Sequence, residues 1–373
     1  MMISIGNRTI SAERRKSGNM LLRNAMGIVL ALVLSLLITV LIIVASGKDP
    51  VLAMSKLFSG AFGTEYNFGE TIVKAIPLIL TGLGYTICYR TGLSSMGGDG
   101  QVMLGGLLAA VAGIYFTDLP SIALIPVTLI LAMLAGGLWA GIVGYLKAKI
   151  GVSEVISTIM MNYIAKYLLD FMVDVPMREP PGYYPQSSLL QESSWFTTIL
   201  KGTRIHAGIF IALAALVIVY IILWKLPSGF RMRATGYNQI AAKTVGIRCD
   251  RSLIMAMALS GVFAGLAGGV ELLAVHHRLV SGFNGSIGYD GLAVALLGGL
   301  HPAGVAVAGV FFAALRVGAS TMQRAVQVPA ALISVIQGLI VLFVLMQVML
   351  SNYVIRIFGP KKKLDKLRKP EVA

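Results

Sequence analysis

The sequence predicts an all-α polytopic membrane protein of about ten transmembrane helices, arranged as an inverted repeat, with both termini cytoplasmic. Three observations predict this. Hydrophobic residues make up 57 % of the 373 and charged residues only 13 %, about half the charge of a soluble domain. Apolar runs long enough to cross a bilayer, roughly 20 residues, recur along the chain. Most of the 31 basic residues fall on segments that alternate with outside loops, as basic cytoplasmic loops do. Topology therefore accounts for the net charge of +15, and no nucleic-acid partner is implied. The 42 glycines suit close helix packing among lipids. Cys88 and Cys249 offer neither a disulfide framework nor metal-ligand spacing.

Residues 1–24 carry Arg8, Arg14, Arg15, Lys16 and Arg23 and are read as a basic cytoplasmic tail. A transmembrane domain covers 25–350. Its first span, 25–45, has an apolar core longer than the roughly 7–15 residues of a signal peptide. Residues 47–69 form an outside loop. The second span, about 70–89, stops at Arg90. The glycine-rich stretch 91–101 then leads into a third span ending near Phe116. After a turn at Asp118 and Pro120, the fourth span ends inside at Lys147 and Lys149. The fifth, 153–173, holds Glu154, Asn162, Lys166 and Asp170 in an apolar pattern; Lys166 and Asp170 are spaced to pair on one face. Residues 174–203 are the longest outside loop, with Pro176, Pro180, Pro181 and Pro185.

The sixth span, about 205–224, leads into 225–251, a polar loop in which Lys225, Arg231, Arg233, Lys243, Arg248 and Arg251 face only Asp250. Such a loop stays inside. Its middle, 234–246, lacks proline and is expected to form one short helix along the membrane surface. The seventh span, 253–275, repeats Gly261, Gly265 and Gly269 at every fourth position, which puts a packing face on one side. His276 and His277 come after it without a third ligand, so no metal site is expected. Residues 288–300 are too short for an untilted span and read as a half-helix or re-entrant piece, divided at His301-Pro302 from the next apolar run. The last span covers about 329–350. The tail, 351–373, holds Arg356, Lys361, Lys362, Lys363, Lys366, Arg368 and Lys369 and belongs inside.

Gly97-Gly98-Asp99-Gly100 precedes Leu104-Gly105-Gly106, and Gly288-Tyr289-Asp290-Gly291 precedes Leu297-Gly298-Gly299. The two pieces open spans that run in opposite directions, the pattern of an inverted repeat with a solute site near broken helices. Ionisable groups inside spans are costly and face a bundle interior or a water-filled path. Asp99, Glu271 and Asp290 are accordingly pathway candidates, joined by Gln101 and Asn162, whose amides could hydrogen-bond a polar neutral solute. For Asp99 and Asp290, beside glycines at helix starts, N-capping is the competing role. No phosphate loop, H-E-x-x-H or G-x-S-x-G occurs. No catalytic residue, cofactor or metal is expected, and any ATP hydrolysis must reside on another chain.

Four stretches carry a family resemblance: Ser153 to Ala165 (SEVISTIMMNYIA), Gly229 to Ile247, Ala258 to Val275, and Gly288 to Val305 (GYDGLAVALLGGLHPAGV). Through them the chain resembles, from about Gly69 to Val348, the permease subunits of bacterial ABC importers in the branched-chain amino acid and simple sugar superfamily. It looks closest to the nucleoside-importer branch. One departure is SSMGGDGQ at Ser94 to Gln101. That branch usually shows an N-I-G-x-E-G-Q-like run, so Ser95 stands for the asparagine and Asp99 for the glutamate. The resemblance implies a bacterial cell-membrane location and a second permease subunit, homologous or identical. An ABC ATPase, a duplicated-domain chain in this branch, would dock through the A-A-x-x-x-G loop, with Thr235, Gly236, Asn238, Ala241, Ala242 and Gly246 as docking residues. An extracellular lipoprotein would deliver the nucleoside. The alternatives are a permease for ribose-like sugars or another small polar solute and, in a different class, an ion-coupled carrier using Asp99, Glu271 and Asp290.

Overall fold

Helices supply the regular structure. Among the described residues there is no β-strand, only isolated bridges such as Gln186–Val280 and Thr198–His206. The computed structural model describes residues 33–34, 37–116, 119–182 and 184–327, with single positions at 335, 338, 339, 342 and 346. The expected tails, 1–24 and 351–373, lie outside the described residues, as do about half of the first span and most of the last. Among the described residues, five helices are long and apolar enough to cross a membrane: Glu65–Arg90, Ser121–Ile150, Gly208–Lys225, Cys249–His276 and Pro302–Val326.

The chain divides into two units, Met1–Lys56 with Thr321–Ala373, and Leu57–Ser320. In the first, residues 37–45 are helical. There Asp49 Oδ1 accepts the Val51 N–H at 2.8 Å and opens α1 (Pro50–Phe62).

The second unit is built on α2 (Glu65–Arg90). Thr64 caps it by accepting the Asn67 N–H, Glu65 sits in its first turn and Arg90 in its last, each charge suited to the helix dipole. α3 (Gly98–Tyr115), α4 (Ser121–Ile150) and α5 (Glu154–Asp174) come next. α4 ends where Gly151 adopts φ +79, after Lys147 and Lys149 in the last turn. α6 (Gly208–Tyr220) continues as a π turn to Lys225. α7 (Pro227–Tyr237) and α8 (Gln239–Thr244) precede α9 (Cys249–Glu271), which ends in a second π turn, Leu272–His276. α10 (Ile287–Leu297) has 11 residues, about 16 Å of rise, half a bilayer core. Left-handed residues bound it on both sides, Gly285 and Ser286 before and Gly299 and Leu300 after. α11 (Pro302–Val326) is the last helix whose bounds fall among the described residues.

α9 runs antiparallel to α2. Lys74 meets Glu271, Gly84 abuts Ser260 and the Cys88 thiol reaches Ala256 O. Along α4 it also runs antiparallel, with backbone against backbone. A Cβ added at Gly261 would lie 2.0 Å from Gly136 O, and one at Gly265 would lie 2.2 Å from Ala132 O. A Cβ at Gly105 of α3 would lie 2.3 Å from Gly265 O. Gly269 faces Ala132 and Leu129 of α4. Small residues let these helices close to a distance that dispersion rewards in lipid. Burial separates inner from outer helices: 89 % of the apolar window of α2 is buried, against 33 % for α4. Among the described residues no ion pair joins Lys166 to Asp170. Lys166 is exposed, and Asp170 accepts the Ser281 hydroxyl at 2.6 Å.

Candidate functional site

Two helix starts meet inside the bundle. Residues 91–97 leave α2 without regular structure, so the buried part of their polar backbone needs partners. Tyr85, about one and a half turns before the end of α2, accepts the Gly98 N–H at 3.0 Å through its hydroxyl. Thr158 Oγ1 accepts the Met96 N–H at 3.1 Å. Asn162 of α5 donates to Met96 O at 2.8 Å and accepts the Gly100 N–H at 2.9 Å. Its Nδ2 also lies 3.2 Å from the Tyr289 hydroxyl.

Asp99, in the first turn of α3, accepts the Gly288 N–H of α10 at 3.1 Å. A Cβ on Gly288 would lie 2.1 Å from Asp99 N; only glycine permits this approach. Asp290, one turn into α10, pairs with Arg316 of α11 at 3.6 Å, and Arg316 also donates to Gly285 O. Gln101 is buried, and its side chain has no protein hydrogen bond among the described residues. The two G-x-D-G pieces, far apart in sequence, therefore form one glycine-lined junction with Asn162, Gln101 and Tyr289 beside it. Its groups are suited to holding a polar solute and hold no nucleophile–base pair.

Glu271 lies elsewhere, at the far end of α9. Its carboxylate, 2 % exposed, is 2.7 Å from Lys74 Nζ and 3.5 Å from His276 Nε2. Residues 174–207 fold over this end. Ser187 N–H donates to Leu279 O, Leu190 N–H to His277 O, and Trp195 stacks on His277 with centroids 4.1 Å apart. His206 precedes the span, since α6 begins at Gly208, and stacks on Phe196. Its Nδ1 accepts the Gly208 N–H at 3.1 Å. Burial pushes its pKa down to about 4, with Arg204 adding to the effect against the pull of Glu271. Burial and then Arg204 lower His277 as well.

The 225–251 loop forms two helices where the sequence predicts one. Pro227 starts α7 at a position that needs no N–H. Asn238 then breaks the path, because its side chain accepts the N–H groups of Ile240 and Ala241 and starts α8. Gly246, φ +83, ends α8 with Ile247 N–H on Ala242 O and Gly246 N–H on Lys243 O, a Schellman closure. Gly236 lies against α2: a Cβ there would be 2.3 Å from Arg90 O. Thr235 and Ala242 are buried, whereas Asn238, Ala241 and Gly246 are exposed. Sequence reasoning passes over Tyr237, Ile240 and Val245, which are 83, 80 and 75 % exposed. Three apolar residues spaced through a polar loop are the signal that could have found them. The loop is tied to the bundle through Trp224, whose ring has Arg90 at 5.6 Å and Arg233 at 5.9 Å and packs on His301.

Residues 67–345 match the family described as branched-chain amino acid transport system / permease component. The guanosine ABC transporter permease protein NupP of Bacillus subtilis (strain 168) is 38 % identical over 90 % of this chain and 95 % of its own. The nucleoside ABC transporter permease protein NupB of Lactococcus lactis subsp. cremoris (strain MG1363) is 32 % identical over 90 % and 93 %. The glucose ABC transporter permease protein TsgB13 of Haloferax volcanii is 32 % identical over 83 % and 84 %. No solved structure matches the chain. With a family match over most of its length and apolar helices to span the bilayer, the chain belongs to the branched-chain amino acid transport system permease component family, a multi-pass membrane transport subunit and not an enzyme.

Proposed function

We propose that this chain is the transmembrane permease subunit of an ATP-driven ABC importer and forms the translocation pathway for nucleosides. The observation that carries this is the similarity, over nine-tenths of the chain, to permeases named for guanosine and for nucleosides. The topology proposed has about ten spans over 25–350 in two inverted halves, with tails 1–24 and 351–373 in the cytoplasm. Three findings support it: the opposed directions of α2 and α9, the half-length of α10, and the meeting of the two G-x-D-G helix starts. Loop 225–251 is the proposed coupling loop. Asn238, Ala241 and Gly246 meet the ATPase directly, joined by Tyr237, Ile240 and Val245. Thr235, Gly236 and Ala242 hold the loop in shape. Loop 174–203 faces outward, where a lipoprotein binding protein delivers solute. A second permease and a duplicated-domain ATPase complete the assembly.

Gln101 and Asn162 are the proposed polar contacts of the pathway, flanked by Asp99 and Asp290, while Glu271 guards its outer end. Closure of the ATPase pair would move α7 and α8. Gly236 against Arg90, and Trp224 between the loop and His301, pass that motion to the helix starts. The permease makes and breaks no bonds; it interconverts two pore states that ATP and solute stabilise differently.

A permease for simple sugars is the second reading, favoured by the glucose-permease relative. An ion-coupled carrier is less supported, since Glu271 and Asp290 already pair with Lys74 and Arg316. Labelled guanosine accumulation in cells carrying the whole transporter tests the class. ATP depletion at constant membrane potential should stop it and an uncoupler at constant ATP should not; the reverse pattern rejects the ABC assignment.

A further inference from the structure

A cleft of about 580 Å³ opens between the 225–251 loop and the foot of α9, within the roughly 300–1,000 Å³ of small-molecule sites. Arg231, Arg248 and Arg251 line it, with the hydroxyl-bearing Ser228 and Ser252. Among the described residues no carboxylate pairs with any of the three arginines. The adjoining cavity, about 410 Å³, shares Arg248 and Arg251 and adds Asp250, whose carboxylate pairs with Lys149 at 3.7 Å and with neither arginine. Three guanidiniums around one opening repel one another, and an anion between them removes that cost.

The remaining wall is Gly246, at its edge towards the docking face, and two apolar side chains. Ile247 and Met255 line the same cleft. Met255 stands one turn beyond Arg251 on the same face of a membrane-crossing helix and is 41 % exposed. The opening thus grades from a cationic foot to an apolar flank on an exposed face of an apolar helix. A phosphate in solution would use only the first part; an amphiphile uses both.

We propose that this cleft is a binding site for an anionic phospholipid of the inner leaflet, with the phosphodiester held by Arg231, Arg248 and Arg251 and an acyl chain along Met255. Basic pockets at the cytoplasmic ends of spans take such headgroups. Bound there, the lipid bridges the coupling loop and α9, and so stabilises the loop in the position from which it meets its partner. The leaflet assignment rests on the topology proposed above; binding itself does not.

The test uses the full-length chain in neutral detergent, alone and assembled with its ATPase. Dioleoylphosphatidylglycerol, dioleoylphosphatidylcholine and glycerol 3-phosphate are each titrated, with retention read by native mass spectrometry and stabilisation by Tm. Phosphatidylglycerol should bind and raise Tm in both preparations, and the other two should not. Each arginine lost weakens binding about fivefold, so R248Q/R251Q should weaken it roughly 25-fold, and R248K/R251K should recover most of it. K201Q, on the opposite loop, should bind as the unmodified protein does. Equal retention of phosphatidylcholine, or unchanged affinity in R248Q/R251Q, overturns the proposal. Glycerol 3-phosphate binding as tightly as the lipid would assign the cleft to a soluble anion. Loss of the lipid on ATPase assembly would make it part of the protein interface; either result also overturns the proposal.

Discussion

Asp99 accepts a hydrogen bond from the Gly288 N–H at 3.1 Å and joins the first turn of α3 to the first turn of α10. The two helices come from repeat-like G-x-D-G pieces, and their contact leaves no room for a side chain at position 288. Gly288→Ala drives a methyl into the backbone of Asp99. Overpacking costs about 1–3 kcal/mol, and a clash with backbone atoms that cannot rotate away favours the upper end. The purified variant is expected to show a clearly lowered Tm and poor yield; an unchanged Tm would contradict the junction.

Asn162 answers Met96 O, Gly100 N–H and the Tyr289 hydroxyl at once. Asn162→Ala strands two backbone groups, at about 1–3 kcal/mol each. Lower stability together with lost transport is expected. A fully stable variant with changed solute preference would instead make Asn162 chiefly a solute contact.

Glu271 and Lys74 form an ion pair in which the carboxylate is buried. Glu271→Ala leaves Lys74 without it. Breaking such a pair costs about 3–5 kcal/mol, and the partial exposure of Lys74 favours the lower end. The double variant K74M/E271L should recover most of the loss in a thermal unfolding series. No recovery would show that the carboxylate has a further role there.

Gly246 and Gly236 should behave oppositely. Nothing lies within 4 Å of a Cβ at Gly246, whereas Gly236 touches Arg90 O. Gly246→Trp is expected to leave the protein folded, apart from a small cost for its left-handed φ, and to abolish ATPase co-purification and uptake. Gly236→Ala should lower Tm. If Gly246→Trp keeps both ATPase binding and uptake, the docking assignment falls.

His206 is held neutral, with a folded pKa of about 4 against its ordinary 6.5. Between these values the unfolded chain binds the extra proton, so stability rises with pH and is lost as pH falls from 6.5 towards 4. The loss amounts to about 3 kcal/mol at most. Tm measured over this window should fall with acid, and less steeply in His206→Phe; identical slopes would remove His206 as the source.

Much of this arrangement is legible in the sequence, because composition and glycine spacing act locally. The every-fourth-residue glycines of α9 lie against α4, and His301-Pro302 marks the end of the half-helix region. The break at Asn238 is readable too: an asparagine before a helical stretch is a cap, and the expectation of one helix over 234–246 ignores it. Other features depend on distant partners. The bonds of Asn162 reach across more than 60 residues. Lys166 and Asp170 have the spacing of a helix pair, but Ser281 takes the carboxylate. Helical periodicity places residues on a face without saying what packs against it.

Transport of nucleosides is decided by uptake of labelled guanosine and uridine in cells with and without this chain, in a strain with no other nucleoside carrier and with excess ribose as competitor. For a nucleoside permease, deletion abolishes nucleoside uptake and ribose does not compete. Unchanged nucleoside uptake on deletion would contradict it and leave a simple sugar or another small polar solute as the cargo.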